Sequence, residues 1–86
     1  MTMTEERIGK ITHYYNHLHV AIVNITGGEL HIGDMIHVEG HTSNFMQKLC
    51  SMELEHESTD VAKPGDNVGI VIDEYAREND SVYVVH

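Results

Sequence analysis

The chain is cut into short pieces by residues that turn a backbone. Turn formers recur at Asn16-His17, Gly27-Gly28, Gly33-Asp34, Gly40, Pro64-Gly65-Asp66-Asn67 and Glu78-Asn79-Asp80. Glycine accepts a positive φ, proline fixes its own φ, and Asp or Asn bonds back to nearby amides, so each interrupts regular structure for its own reason. The runs between these marks are rich in Val, Ile, Thr and Tyr, which suit a pleated, half-buried surface. The pattern predicts strands over residues 7–14, 18–25, 35–39, 46–57, 67–74 and 81–85. Six short strands without a convincing helix imply an all-β barrel or sandwich. The firmest mark, Pro64 to Asn67, sets the register of the apolar strand after it, where a slip of one residue would invert the buried face.

The segment 46–57 carries the clearest alternation. Met46, Cys50, Met52 and Leu54 share one parity and Gln47, Ser51, Glu53 and Glu55 the other, which predicts an inward and an outward face. Lys48 and Leu49 interrupt the pattern, so a β-bulge is expected there. Met, Leu, Glu, Gln and Lys also favour helices, which leaves a helical alternative for "NFMQKLCSMELEHE". The strand is favoured.

A length of 86 residues suits one domain with a modest core, read as a tail over 1–6 and a single domain over 7–86. Cys50 is the only cysteine, so an intrachain disulfide is impossible. No apolar run approaches the ~20 residues of a membrane helix. The opening "MTMTEER" lacks the charged-then-apolar order of a secretory leader, so a cytoplasmic location is expected. Fourteen acidic residues face five basic ones, a formal net charge of -9. Such a surface repels phosphates and anionic lipid, which argues against DNA and membranes as partners and favours protein over RNA.

Beyond these features, "AKPGDNVGI" at 62–70 resembles the turn-and-strand signature of the second, β-barrel domain of elongation factor Tu-type translational GTPases. "GGELHIGDMIHVEG" and "LCSMELEHESTDVAKPGD" are similar to neighbouring strands of that barrel. From "IGKITHYY" to "ARENDSVYVV" the chain also resembles small elongation factor-like proteins and the C-terminal barrel of collagenase-like peptidases. In those an Arg-x-x-Asp-x-Val-Tyr element closes the domain, matched here by Arg77, Asp80, Val82 and Tyr83. The resemblance implies a six-stranded antiparallel β-barrel of the translation-protein type. It also implies a binding or adaptor role linked to translation or RNA modification, with ribosome or tRNA contacts open. No Gly-x4-Gly-Lys-(Ser/Thr) phosphate loop occurs, and the peptidase catalytic domain is missing, so a non-enzymatic module without a cofactor is expected.

Few residues offer chemistry. Tyr14 and Tyr15 are adjacent on a strand and face opposite ways, so at least one is expected at the surface as a partner anchor, with Arg77 as a further candidate contact. His13, His17 and His19 surround a hairpin and form the alternative reading, a transition-metal site. A three-residue loop would set His13 across from His19. A two-residue loop would set His13 opposite Val20 and Ile11 opposite Ile22, and this register is favoured. His31, His37 and His86 are expected to be ordinary surface histidines. Cys50 and His56 make a nucleophile pair only if the thiol is accessible, and its parity predicts burial. Glu53, Glu55 and Glu57 predict an outward carboxylate row that protects a sheet edge. Asp73, Glu74, Glu78 and Asp80 form a second acidic patch without calcium-loop spacing. Self-association through open strand edges is a further expectation.

Overall fold

A computed structural model describes residues 4–86. Ten strands run β1 Glu5–Tyr15, β2 Val20–Ile25, β3 Leu30–His31, β4 Met35–Glu39, β5 Asn44–Lys48, β6 Met52–Leu54, β7 Glu57–Ser58, β8 Val61–Ala62, β9 Asn67–Val71 and β10 Ser81–Val85. All described pairings are antiparallel, and no helix occurs among the described residues. None is therefore long and apolar enough to cross a membrane. β1 already includes Glu5 and Glu6, which the sequence had assigned to the tail; residues 1–3 of that tail lie outside the described residues.

Eight strands form one sheet in the order β5-β4-β10-β1-β2-β9-β6-β7, and β3 pairs with β8 apart from it. The expected closed barrel is corrected on this point, because β5 and β7 end the sheet and no ladder joins them. The seam between β5 and the end of β9 is bridged instead by one side chain. Gln47 donates Nε2–H to the Val71 carbonyl at 3.1 Å and accepts the Asp73 N–H on Oε1 at 2.7 Å. A primary amide offers both a donor and an acceptor, so it substitutes for one rung where the backbones have parted.

β1 is long because it serves two neighbours. Glu5 to Lys10 pair with β10, and Gly9 to Tyr15 pair with β2. The register shifts between Arg7 and Gly9 against β10, and between Ile11 and His13 against β2. Each extra residue bends the strand and increases its twist, which curls the sheet around its core. That core holds Ile8, Ile11, Val23, Ile25, Leu30, Ile36, Val38, Leu49, Val68, Ile70 and Val82, all fully buried. Ile36/Val38, Val68/Ile70 and Val82/Val84 display the period-two alternation of strands with one wet face.

Three loops use one device. At His31–Asp34, Lys63–Asp66 and Arg77–Asp80, the last N–H donates to the first carbonyl at 3.1, 3.0 and 3.2 Å. In each, the Asp Oδ2 also accepts the first residue's N–H at 2.9 Å. The third residue has positive φ in every case: Gly33 at 96°, Gly65 at 99° and Asn79 at 75°. These are type II turns, locked by the carboxylate that follows. The structural role expected of Pro64 to Asn67 is thus met by Pro64 at the second position and Asp66 at the fourth.

The expected long strand over 46–57 does not form. β5 ends at Lys48, the chain kinks through Leu49 to Ser51, and β6 and β7 follow as a separate hairpin. Burial of Leu49 causes the kink, since its backbone bonds to Gly33 and Asp34 and its side chain plugs the core. The bulge anticipated at this point is a full break. Cys50, inside the break, is consequently exposed, and Met46 is exposed because Phe45 beside it takes the buried parity of β5, against the expectation that both face inward.

Candidate functional site

The two tyrosines diverge as expected. Tyr14 pairs with buried Ala21 and lies half-buried against the core, while Tyr15 pairs with Val20 and is exposed. Each leads to a separate surface.

At one end of the sheet, Tyr14 meets the loop that joins β9 to β10. Ile72 and Ala76 anchor that loop in the core, and the Arg77–Asp80 turn returns it to β10. Tyr75, 57% exposed, meets Tyr14 edge-on at 5.0 Å between ring centroids. The Arg77 guanidinium stands 5.6 Å from the Tyr75 ring, a cation–π distance. Ala76 and Glu78 complete the lining of a shallow cavity of about 370 Å³. The fold therefore brings Tyr14 and Arg77 together around Tyr75, a residue the sequence reading missed. Aromatic rings with an arginine are the side chains that dominate protein–protein anchoring.

On the outer face of the sheet, Tyr15 joins Leu18, Val20, Ile22 and Gly69 in a second cavity of about 480 Å³, rimmed by Glu53, Glu55 and His56. Glu55 and His56 form the two-residue turn between β6 and β7, and both hold positive φ, 52° and 67°. Two positive φ values in a two-residue hairpin mark a type I′ turn, normally given to Asn-Gly. Glu53, Glu55 and Glu57 are thus split among strand, turn and partner strand, and the expected carboxylate row along one strand does not exist.

The histidines near the first hairpin take neither expected register. Tyr15 pairs with Val20, which leaves a four-residue loop over 16–19, and the bulge after Ile11 sets His13 opposite Ile22 and Ile11 opposite Val23. His13 lies against the Tyr15 ring at 4.3 Å and 3.7 Å from Glu78. His19 takes a φ of 57°, and its carbonyl accepts the Ile72 N–H at 2.9 Å. Among the described residues, no three His, Cys, Asp or Glu side chains converge as metal ligands.

His37 departs from the bland surface role expected for it. Its side chain is largely buried, with Nδ1 2.7 Å from Glu5 Oε1 and Nε2 2.6 Å from Asn44 Oδ1. As the Asn44 amide is oriented, both ring nitrogens face oxygens, and the imidazolium satisfies both by donating twice. The Glu5 hydrogen bond foremost, then Asn44, holds its pKa above the ordinary 6.5, against the opposing effect of burial. His31, by contrast, rests beside Glu29 at 3.1 Å on the surface. Of the second acidic patch, Asp80 is 4% exposed and committed to its turn.

Among known proteins, no family model matches the chain. It is 32% identical over 79 residues to an uncharacterized protease of Methanocaldococcus jannaschii, covering 91% of this chain and 19% of the relative. It is 34% identical over 83 residues to a collagenase of Porphyromonas gingivalis, covering 95% of this chain and 23% of the relative. The chain therefore spans about a fifth of the length of the curated relatives it matches. A solved structure, the C-terminal domain of a Geobacillus thermoleovorans protein assigned as a U32 peptidase, superposes with a TM-score of 0.85 at 20% identity. That match covers 92% of this chain and 91% of the other, and at such identity it establishes the fold. These relatives bear out the peptidase half of the expected resemblance. They overturn the other half: the relatives are proteases and collagenases, so the expected link to translation or RNA modification is withdrawn, and the elongation factor-type barrel gains no support.

Proposed function

We propose that this chain is a non-catalytic, polypeptide-binding module of the kind carried by larger peptidases. One observation carries the reading: nine-tenths of the chain aligns with only a fifth of proteins named as proteases and collagenases. Whole-protease chemistry needs a nucleophile with its base, a carboxylate pair sharing a proton, or a bound metal. The prominent surfaces here are aromatic and apolar instead, suited to gripping a chain rather than cutting it. Tyr14 and Arg77, with Tyr75, offer one such grip, and Tyr15 belongs to the other.

The test uses the purified 86-residue chain in two assays. Quenched fluorescent gelatin and casein are expected to stay intact in its presence. Immobilised gelatin or reduced, alkylated casein is expected to retain it in surface plasmon resonance. Hydrolysis that copurifies with the chain and vanishes on a single substitution would refute the non-catalytic part. Absence of binding to both unfolded polypeptides would refute the rest.

A further inference from the structure

An antiparallel sheet with one face in the core normally turns polar side chains to water on the other. The outer face of β1, β2 and β9 does so only at its margins, where His13 lies opposite Ile22 and Asn24 pairs with Asn67. Between them Tyr15, Val20, Ile22 and Val71 all point outward, beside Leu18, which is 66% exposed. Val20 pairs with Val71 and Ile22 with Gly69, so these residues form one continuous apolar area.

Gly69 lies at its centre, and the fold does not require it. A Cβ at Gly9, Gly27 or Gly40 would collide with Asn24, Arg7 or Asp80, one at Gly28 would meet the Glu6 carboxylate, and Gly33 and Gly65 hold positive φ. A Cβ at Gly69 would meet only Val20 Cγ1 at 3.4 Å and Ile22 Cδ1 at 3.6 Å, ordinary contacts, on a backbone without positive φ. β9 is flanked by β2 and β6, and glycine in such a central strand weakens it. What this glycine preserves is the space above it.

The rim states what fits that space. Glu53 stands directly across from Gly69 on β6, and the left-handed turn lifts Glu55 beside it. Among the described residues, neither carboxylate has a cationic partner within salt-bridge distance. We infer that this face docks an extended polypeptide segment in which an apolar side chain sits over Gly69 and a neighbouring Lys or Arg meets Glu53 and Glu55. Side chains two apart on such a segment share a face at roughly 7 Å, which spans the step from the dip to the rim. The inference rests on the polypeptide-binding reading and adds the place and the sequence preference.

Fluorescence anisotropy tests it with three labelled twelve-residue peptides: Leu-Ser-Lys-Ser repeats, the same with Glu for Lys, and the same with Ser for Leu. The unmodified protein should prefer the Leu/Lys peptide over either analogue by about tenfold or more. Gly69→Val should weaken that binding by about tenfold while leaving the melting temperature equal or higher, since valine suits a strand. Gly69→Ala, with only the Cβ added, should show a smaller loss in the same direction. Glu53→Gln with Glu55→Gln should weaken binding several-fold and flatten its salt dependence. Ile32→Ala, exposed in the His31–Asp34 turn and outside both cavities, should change it less than about twofold. Undiminished binding by Gly69→Val, equal binding of the Glu peptide, or a loss in Ile32→Ala as large as in Gly69→Val would each overturn the inference. So would a dimer that Gly69→Val dissociates, because the face would then serve a second copy. If Gly69→Val keeps gelatin and peptide binding intact, the module reading survives and this placement fails. If the unmodified protein holds neither gelatin nor any peptide, both fail.

Discussion

The repeated turn makes a graded stability test. Asp34, Asp66 and Asp80 perform the same task with the same 2.9 Å bond to a backbone N–H, but they differ in exposure. Asp80 is 4% exposed, and its carboxylate also packs against Gly40. Replacing it with Ala strands the Arg77 N–H and opens a gap where water enters poorly. An unsatisfied buried donor costs about 1–3 kcal/mol, so a loss of about 2 kcal/mol is expected at Asp80. At Asp34 and Asp66 the freed N–H meets water, and the loss should stay near the ~1 kcal/mol net worth of a hydrogen bond. For a domain of this size, 1 kcal/mol shifts the melting temperature by about 4–8 °C, so Asp80→Ala should melt roughly 8–16 °C lower. Asp80→Asn keeps an acceptor oxygen in place and should recover more than half of the loss. Thermal and urea denaturation followed by far-ultraviolet circular dichroism provides the measurement. Equal losses at all three positions, or a loss at Asp80 under about 0.5 kcal/mol, would refute the reasoning that burial sets the cost.

Three further outcomes follow from single features. Glu55-His56→Asn-Gly gives the β6–β7 turn its preferred residues and should stabilise the domain by about 1 kcal/mol in urea denaturation, while weakening Leu/Lys peptide binding. Because Glu5 and Asn44 raise the His37 pKa, the stability from this cluster is full below the ordinary 6.5 and is lost as pH rises through the raised value. The urea midpoint should therefore fall as pH increases through neutrality, and Glu5→Gln should flatten that fall. Cys50 is exposed, so a thiol-specific colorimetric reagent should label it in the native protein at the rate seen in urea, within about tenfold; protection in the native state would contradict its placement.

Where the sequence was legible, one parity carried the core residues. "MIHVE" and "SVYVV" form strands with the expected bounds, and "NVGIV" opens the strand expected over 67–74, which ends already at Val71. The segment 46–57 misled because its parity suggested one strand while Leu49 needed to be inside and Glu55-His56 lacked an Asn-Gly turn signal. β3 and β8, two residues each, have too little sequence to signal a strand and exist only through mutual pairing. In "VAIVNI" both parities are apolar, so nothing local says whether Val20 and Ile22 or Ala21 and Val23 face water. That ambiguity hid the outer surface. Tyr75 was hidden differently: it lies in an acidic loop with no period, and its meaning arises only when the fold carries Tyr14 to it. The first hairpin register failed by the one residue that the β1 bulge inserts beyond Ile11 and by a loop longer than either register assumed.

Peptide held on the outside of this open sheet, around a glycine the fold could spare, must perturb the backbone beneath it. Backbone amide chemical shifts recorded while the Leu-Ser-Lys-Ser peptide is titrated into the protein read that perturbation residue by residue. Saturable shifts are expected at Tyr15, Val20, Ile22, Gly69 and Val71, with Glu53 moving alongside them. Shifts confined to Tyr75, Arg77 and their neighbours, or none at saturating peptide, would rule this docking face out.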